Sequence, residues 1–142
     1  MRQRNILLVE GDFMVRQALG QALSVENYRV VSVRNQQEAI KEFSNQALDQ
    51  PIDIVLLDLN PRNESAWQTV QHLTALQPDL PVVAMTARLE QYDSSCPDLS
   101  VDAVVEKPLD IVSLMQTLSD LISSTSNLSS VGRSRRLVPN SI

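Results

Sequence analysis

Five short apolar runs break off at polar residues and are separated by stretches of helical spacing, and this alternation constrains the fold more than any other feature. The runs fall at residues 5–9 (NILLV), 28–33 (YRVVSV), 52–57 (IDIVLL), 81–85 (PVVAM) and 101–105 (VDAVV). Runs this short and this apolar suit strands buried on both faces. Between them, Val15, Ala18, Leu19, Ala22 and Leu23 recur at intervals of three and four, with Asp12 placed to cap a helix over 13–25. Asn35 and Glu38 form a capping-box-like start for a second helix through Ile40, Phe43 and Ala47. Over 64–77, Trp67, Val70, Leu73 and Leu76 share one side before Pro78 and Pro81 end the helix. Residues 88–95 read as a short, mobile helix cut off by Pro97, and Asp110 caps a last helix that turns Ile111, Leu114, Met115, Leu118 and Leu121 inward. Strict alternation with short connections predicts an α/β doubly wound, five-stranded parallel sheet with helices on both faces.

Size and composition fit one such unit. The 142 residues suffice for a single core, and 43% hydrophobic with 20% charged residues is an ordinary globular balance. The reading places a domain at 1–123 and a disordered tail at 124–142, rich in serine and carrying Arg133, Arg135 and Arg136. The chain carries a charge of -5; setting aside the three tail arginines leaves residues 1–123 at -8. An acidic body argues against direct nucleic-acid binding, and three arginines without aromatics read as a solvated tail. No apolar run approaches bilayer length, so no membrane partner and a cytoplasmic location are expected. Cys96 is the single cysteine, which excludes an intrachain disulfide and a cysteine metal cluster.

In a doubly wound sheet the functional crevice lies outside the carboxyl ends of the strands. Those ends carry Glu10 and Asp12 after the first strand, Asp58 after the third, Thr86 after the fourth and Lys107 after the fifth. Acids, a hydroxyl and an ammonium at one crevice suit phosphoryl transfer, which asks the protein mainly for a nucleophile and for charges that neutralise the phosphoryl oxygens. Singly, each residue has a plainer role: an Asp at a strand end usually caps a helix, and a Lys before a proline is usually a solvated loop charge. Their company is what singles them out.

Through ILLVEGD, DIVLLDLN, PVVAMTA and VVEKP, residues 4–122 closely resemble the receiver domains of response regulators. The resemblance implies a flavodoxin-like strand order of 2-1-3-4-5 and phosphorylation of Asp58 by a histidine kinase or phosphotransfer protein. It implies that Thr86 bonds the phosphoryl group and that Lys107 pairs with it. It further implies magnesium held by Glu10, Asp58 and the backbone carbonyl of Asn60, and signalling to a downstream protein through the fourth and fifth helices. Such a chain is a phosphoacceptor signalling domain rather than an enzyme, and here a stand-alone one, with homodimerisation open.

Three departures from the family pattern mark the sequence. Gly11 stands where a second acid is usual, which predicts weak magnesium binding. Asp12 is a substitute ligand only if the chain bends unusually at Gly11, and its cap of the first helix competes for the same carboxylate; the cap is favoured. Pro61 arrives early in the loop after Asp58 and biases Asn60 toward extended backbone, while Val104 takes the place of the family's aromatic switch residue. These departures prompt an alternative: a degenerate receiver that works as a phosphorylation-independent interaction module. A flavin-binding protein of the same architecture is disfavoured, because EGDF and LNPRN lack a small-residue phosphate cradle. His72, Cys96 and Trp67 are assigned surface, inert-thiol and helix-packing roles.

Overall fold

The computed structural model describes residues 3–45, 51–59, 64–87, 101–107, 110–127 and 136–138. Six parallel strands form one sheet: β1 (Asn5–Val9), β2 (Arg29–Val33), β3 (Ile54–Asp58), β4 (Val82–Thr86), β5 (Ala103–Glu106) and β6 (Arg136–Val138). Their order is β2-β1-β3-β4-β5-β6. Four helices are described, α1 (Phe13–Val25), α2 (Gln36–Asn45), α3 (Glu64–Leu76) and α4 (Ile111–Asn127). The short helix expected over 88–95, along with Pro61 and Cys96, lies outside the described residues.

The apolar runs of β1, β3, β4 and β5 are buried on both sides because the sheet has helices on both sides, whereas in β2, at the sheet edge, only Val33 is buried. Leu7, Val9, Val55, Leu57, Val82, Ala84 and Val104 face Ala39 and Phe43 of α2 and Val70 and Leu73 of α3. Ile6, Leu8, Ile54, Leu56, Val83, Met85, Ala103 and Val105 face Leu19 and Leu23 of α1 and Leu114 and Leu118 of α4. Alternate residues of each strand therefore supply two separate cores, as the strand period of two requires. The helix faces are narrower than their spacing predicts. Ala18, Leu76 (51% exposed) and Ile111 (37%) stand out toward solvent, each at the margin or end of its apolar stripe.

Helix starts follow the side-chain chemistry. Asp12 Oδ1 accepts the N–H groups of Met14 and Val15 at 2.9 and 3.1 Å, and Asp110 Oδ1 accepts that of Val112 at 3.1 Å. Asn35 Oδ1 accepts the Glu38 N–H at 3.0 Å. Glu38 reaches back one residue further than a capping box would, to the backbone N–H and guanidinium of Arg34. After α1 the chain turns at Asn27, whose φ of 70° is the left-handed conformation that asparagine tolerates at a helix end.

The carboxyl-terminal boundary differs from the sequence reading. Helix α4 continues to Asn127, and Arg136–Val138 pair parallel with β5, within the stretch expected to form a disordered tail. Three residues are too few to show a strand period, and pairing to an open strand edge is a backbone interaction that side-chain patterning does not announce. Among the described residues no helix is long and apolar enough to cross a membrane.

Candidate functional site

The carboxyl ends of β1, β3, β4 and β5 meet at one end of the sheet, and backbone pairing fixes every residue there. The Glu10 N–H donates to Val33 O at 3.0 Å, carrying the ladder one residue past β1. Asp58 and Thr86 are the last residues of their strands, in register with Met85 and Glu106 respectively. Sequence patterning reads both as the first loop residues; inclusion in the ladder holds them more rigidly than a loop would. The Lys107 N–H donates to Thr86 O at 2.7 Å.

On this frame the Lys107 ammonium spans two carboxylates. Its Nζ lies 3.0 Å from Glu10 Oε1 and 2.8 Å from Asp58 Oδ1. The Glu10 side chain is 2% exposed and that of Asp58 30%, so Glu10 forms the wall of the site and Asp58 its accessible member. Burial pushes the Lys107 ammonium toward neutrality, but hydrogen bonds and opposite charge from Asp58 and Glu10 outweigh it and hold the pKa above the ordinary lysine value. Lysine therefore stays a fixed positive charge at neutral pH. One ammonium against two carboxylates leaves the cluster with a single negative charge.

The other candidates divide. Thr86 is fully buried at the end of β4. Asp12 is turned away: its carboxylate caps α1, while its backbone N–H donates to Glu10 Oε2 at 3.1 Å. Both Glu10 oxygens are thereby engaged. Gly11 does not adopt a positive φ, so no unusual bend carries Asp12 inward, and a Cβ built on Gly11 would meet only Arg34 O, at 3.6 Å. Asn60 lies outside the described residues. Among the described residues no three His, Cys, Asp or Glu side chains converge. His72 is exposed on α3, and the Trp67 side chain is not among those described.

Arg16 is a participant that sequence reading passes over. Its Nη1 donates to the carbonyl of Glu10 at 2.9 Å, and its guanidinium lies over the Phe13 ring, 5.5 Å from the centroid. This clasps the loop between β1 and α1 from outside and adds positive charge behind the acidic wall. The available signal is its place one turn after Asp12 on the helix that opens at the site.

The chain is similar to several known proteins. The chain is 29% identical over 119 residues to Response regulator RR06 of Streptococcus pneumoniae, a match covering 83% of this chain and 52% of that protein. It is 26% identical over 111 residues to the cyclic di-GMP phosphodiesterase of Thermotoga maritima, covering 75% of this chain and 27% of the relative. The chain thus spans about half or less of the length of these curated relatives. The CheY-like receiver domain protein of Methanospirillum hungatei superposes with a TM-score of 0.75 at 19% identity, over 88% of this chain and 98% of that one. The response regulator TrrA of Thermotoga maritima, crystallised with Mg(2+)-BeF, superposes with a TM-score of 0.72 at 24% identity, over 84% and 99%. These likenesses establish a shared fold. Residues 6–119, from the second residue of β1 through β5 to the first half of α4, match the response regulator receiver domain, and the chain belongs to that family.

Proposed function

We propose that the chain accepts a phosphoryl group on Asp58 from a histidine kinase or phosphotransfer protein and conveys that state through protein contacts. The observation that carries this reading is the Lys107 ammonium held 2.8 Å from the accessible Asp58 carboxylate and anchored from behind by the buried Glu10. An Asp58 oxygen forms the new bond to phosphorus as the bond from phosphorus to the donor's imidazole nitrogen breaks, its electron pair leaving with the nitrogen. Lys107 remains protonated and neutralises the phosphoryl oxygens, a role that needs a positioned charge and no proton transfer. Thr86, at the neighbouring strand end, is the hydroxyl donor to the same group. A cytoplasmic setting suits such an exchange between proteins.

Receiver domains in general bind magnesium. Glu10 and Asp58, two carboxylates facing one pocket, are the side chains of this chain that would hold it, which suffices for an ion that keeps several waters. Bound there, the ion supplies further positive charge to the phosphoryl oxygens. With Gly11 contributing no carboxylate and both Glu10 oxygens engaged, we expect this binding to be weak. The same two observations favour the second reading, an interaction module that works without phosphorylation.

Incubation with acetyl phosphate and magnesium followed by intact mass measurement separates the two. Phosphotransfer predicts a phosphoryl increment on the unaltered chain and none on Asp58→Ala. An increment that persists in Asp58→Ala refutes the assignment of that residue. Absence of any increment at high donor, with no magnesium effect on Trp67 fluorescence, selects the interaction module.

A further inference from the structure

Strand β5 supplies Val104 to one core and Ala103 and Val105 to the other, and all three are essentially inaccessible. With only β4 beside it, such a strand would present a bare row of N–H and C=O groups along an apolar segment, the arrangement most prone to pairing with another chain. This edge is instead occupied by the chain's own Arg136–Val138, in parallel register Ala103↔Arg136, Val104↔Leu137 and Val105↔Val138.

The covering segment has the opposite character to the strand it covers. It is three residues long, begins with Arg136, is preceded by Arg133 and Arg135, and is followed immediately by Pro139. Short length, cationic side chains and a proline are each features that stop an edge from accepting a further strand. Adding β6 thus exchanges an edge that invites pairing for one that resists it.

We propose that Arg136–Val138 is an intrachain cap that holds the β5 edge closed against pairing with a second copy of this chain. A three-residue ladder belongs to the least stable part of a fold and opens locally without unfolding the rest. Eight residues separate Asn127 from Arg136, so the segment stays tethered near its edge and closes again faster than a separate molecule can arrive at low concentration. Once open, two β5 edges related by a twofold axis pair antiparallel, a self-complementary contact that stops at two chains. The covered edge ends at Val105, two residues from Lys107, so its occupancy bears on the strand that delivers the site's cation.

The test uses the full chain and Leu137→Pro, which removes a backbone N–H from the middle of β6. Light scattering after size exclusion, over a concentration series, is expected to give one chain for the unaltered protein and to rise to the mass of two chains for Leu137→Pro, with unchanged far-UV circular dichroism. Hydrogen exchange at residues 103–105 should quicken at least tenfold in the dilute variant and slow again in its dimer. A variant that stays a single chain at every concentration, or a dimer whose 103–105 amides remain unprotected, overturns the proposal. An independent arm needs no substitution: if no amide among 136–138 exchanges more slowly than in an unstructured peptide in the unaltered protein, the proposal is also overturned.

Discussion

Replacing Lys107 by methionine keeps the length and apolar stem of the side chain and removes only its charge and donors. What remains is Glu10, 2% exposed, with Oε1 stripped of its partner and Oε2 still accepting the Asp12 N–H. Removing one member of a fully buried ion pair typically destabilises by about 3–5 kcal/mol. Two features lower that figure here. Lys107 itself is a quarter exposed, so water can partly replace it, and the accessible Asp58 loses only the ~0–1 kcal/mol of a screened pair. A loss of about 2–3 kcal/mol at neutral pH follows. Urea unfolding followed by the fluorescence of Trp67, the sole tryptophan, measures it by linear extrapolation. The pH dependence has a definite sign. Because the folded-state pKa of Lys107 is raised, its contribution is fully present below the unfolded lysine value of about 10.4 and is lost as pH rises through the higher folded value. The stability difference between the unaltered chain and Lys107→Met should therefore be flat at neutral pH and close as pH rises through that alkaline window. Combining the change with Glu10→Gln removes the stranded charge and should recover more than half of the loss. A loss below about 0.5 kcal/mol, or a double variant as unstable as the single one, refutes the argument that Lys107 neutralises a buried carboxylate.

Two further substitutions test the proposed metal site. Gly11→Asp enters open space near Arg34 O without meeting a positive φ, so it should fold normally and tighten magnesium binding by about tenfold through one more hard oxygen ligand; a calorimetric titration without gain means that the added carboxylate does not reach the ion. Asp12→Ala should cost about 1 kcal/mol in urea unfolding by removing the α1 cap and leave the acetyl phosphate increment unchanged; a lost increment would place Asp12 among the metal ligands.

Much of this molecule is legible in its sequence because parallel strands covered on both faces need no alternation to be seen. NILLV and IDIVLL announce themselves as apolar runs, and the acids that end them mark where burial stops. Caps at Asp12, Asn35 and Asp110 are local chemistry and read equally well. Three features lie beyond such reading. The outward turn of Leu76 depends on where α3 leaves the sheet. The clasp by Arg16 depends on which way the Glu10 carbonyl points. The β6 strand depends on an unfilled backbone edge more than thirty residues earlier in the chain, which no periodicity in RLV could reveal.

The position at Gly11 joins these levels. A glycine after a strand is usually explained by backbone conformation, yet here φ is ordinary and space for a side chain is open, so the turn does not require it. Its effect is electrostatic. A carboxylate at 11 that reached Glu10 and Asp58 would share the single lysine with them and leave those four groups with two net negative charges, a repulsion that a bound cation relieves. Without that carboxylate, Glu10, Asp58 and Lys107 carry one net negative charge, and the Arg16 guanidinium on the Glu10 carbonyl lies close by. On the proposed function, the absence of one carboxylate is therefore expected to lower affinity for a cation while easing the repulsion between Glu10 and Asp58.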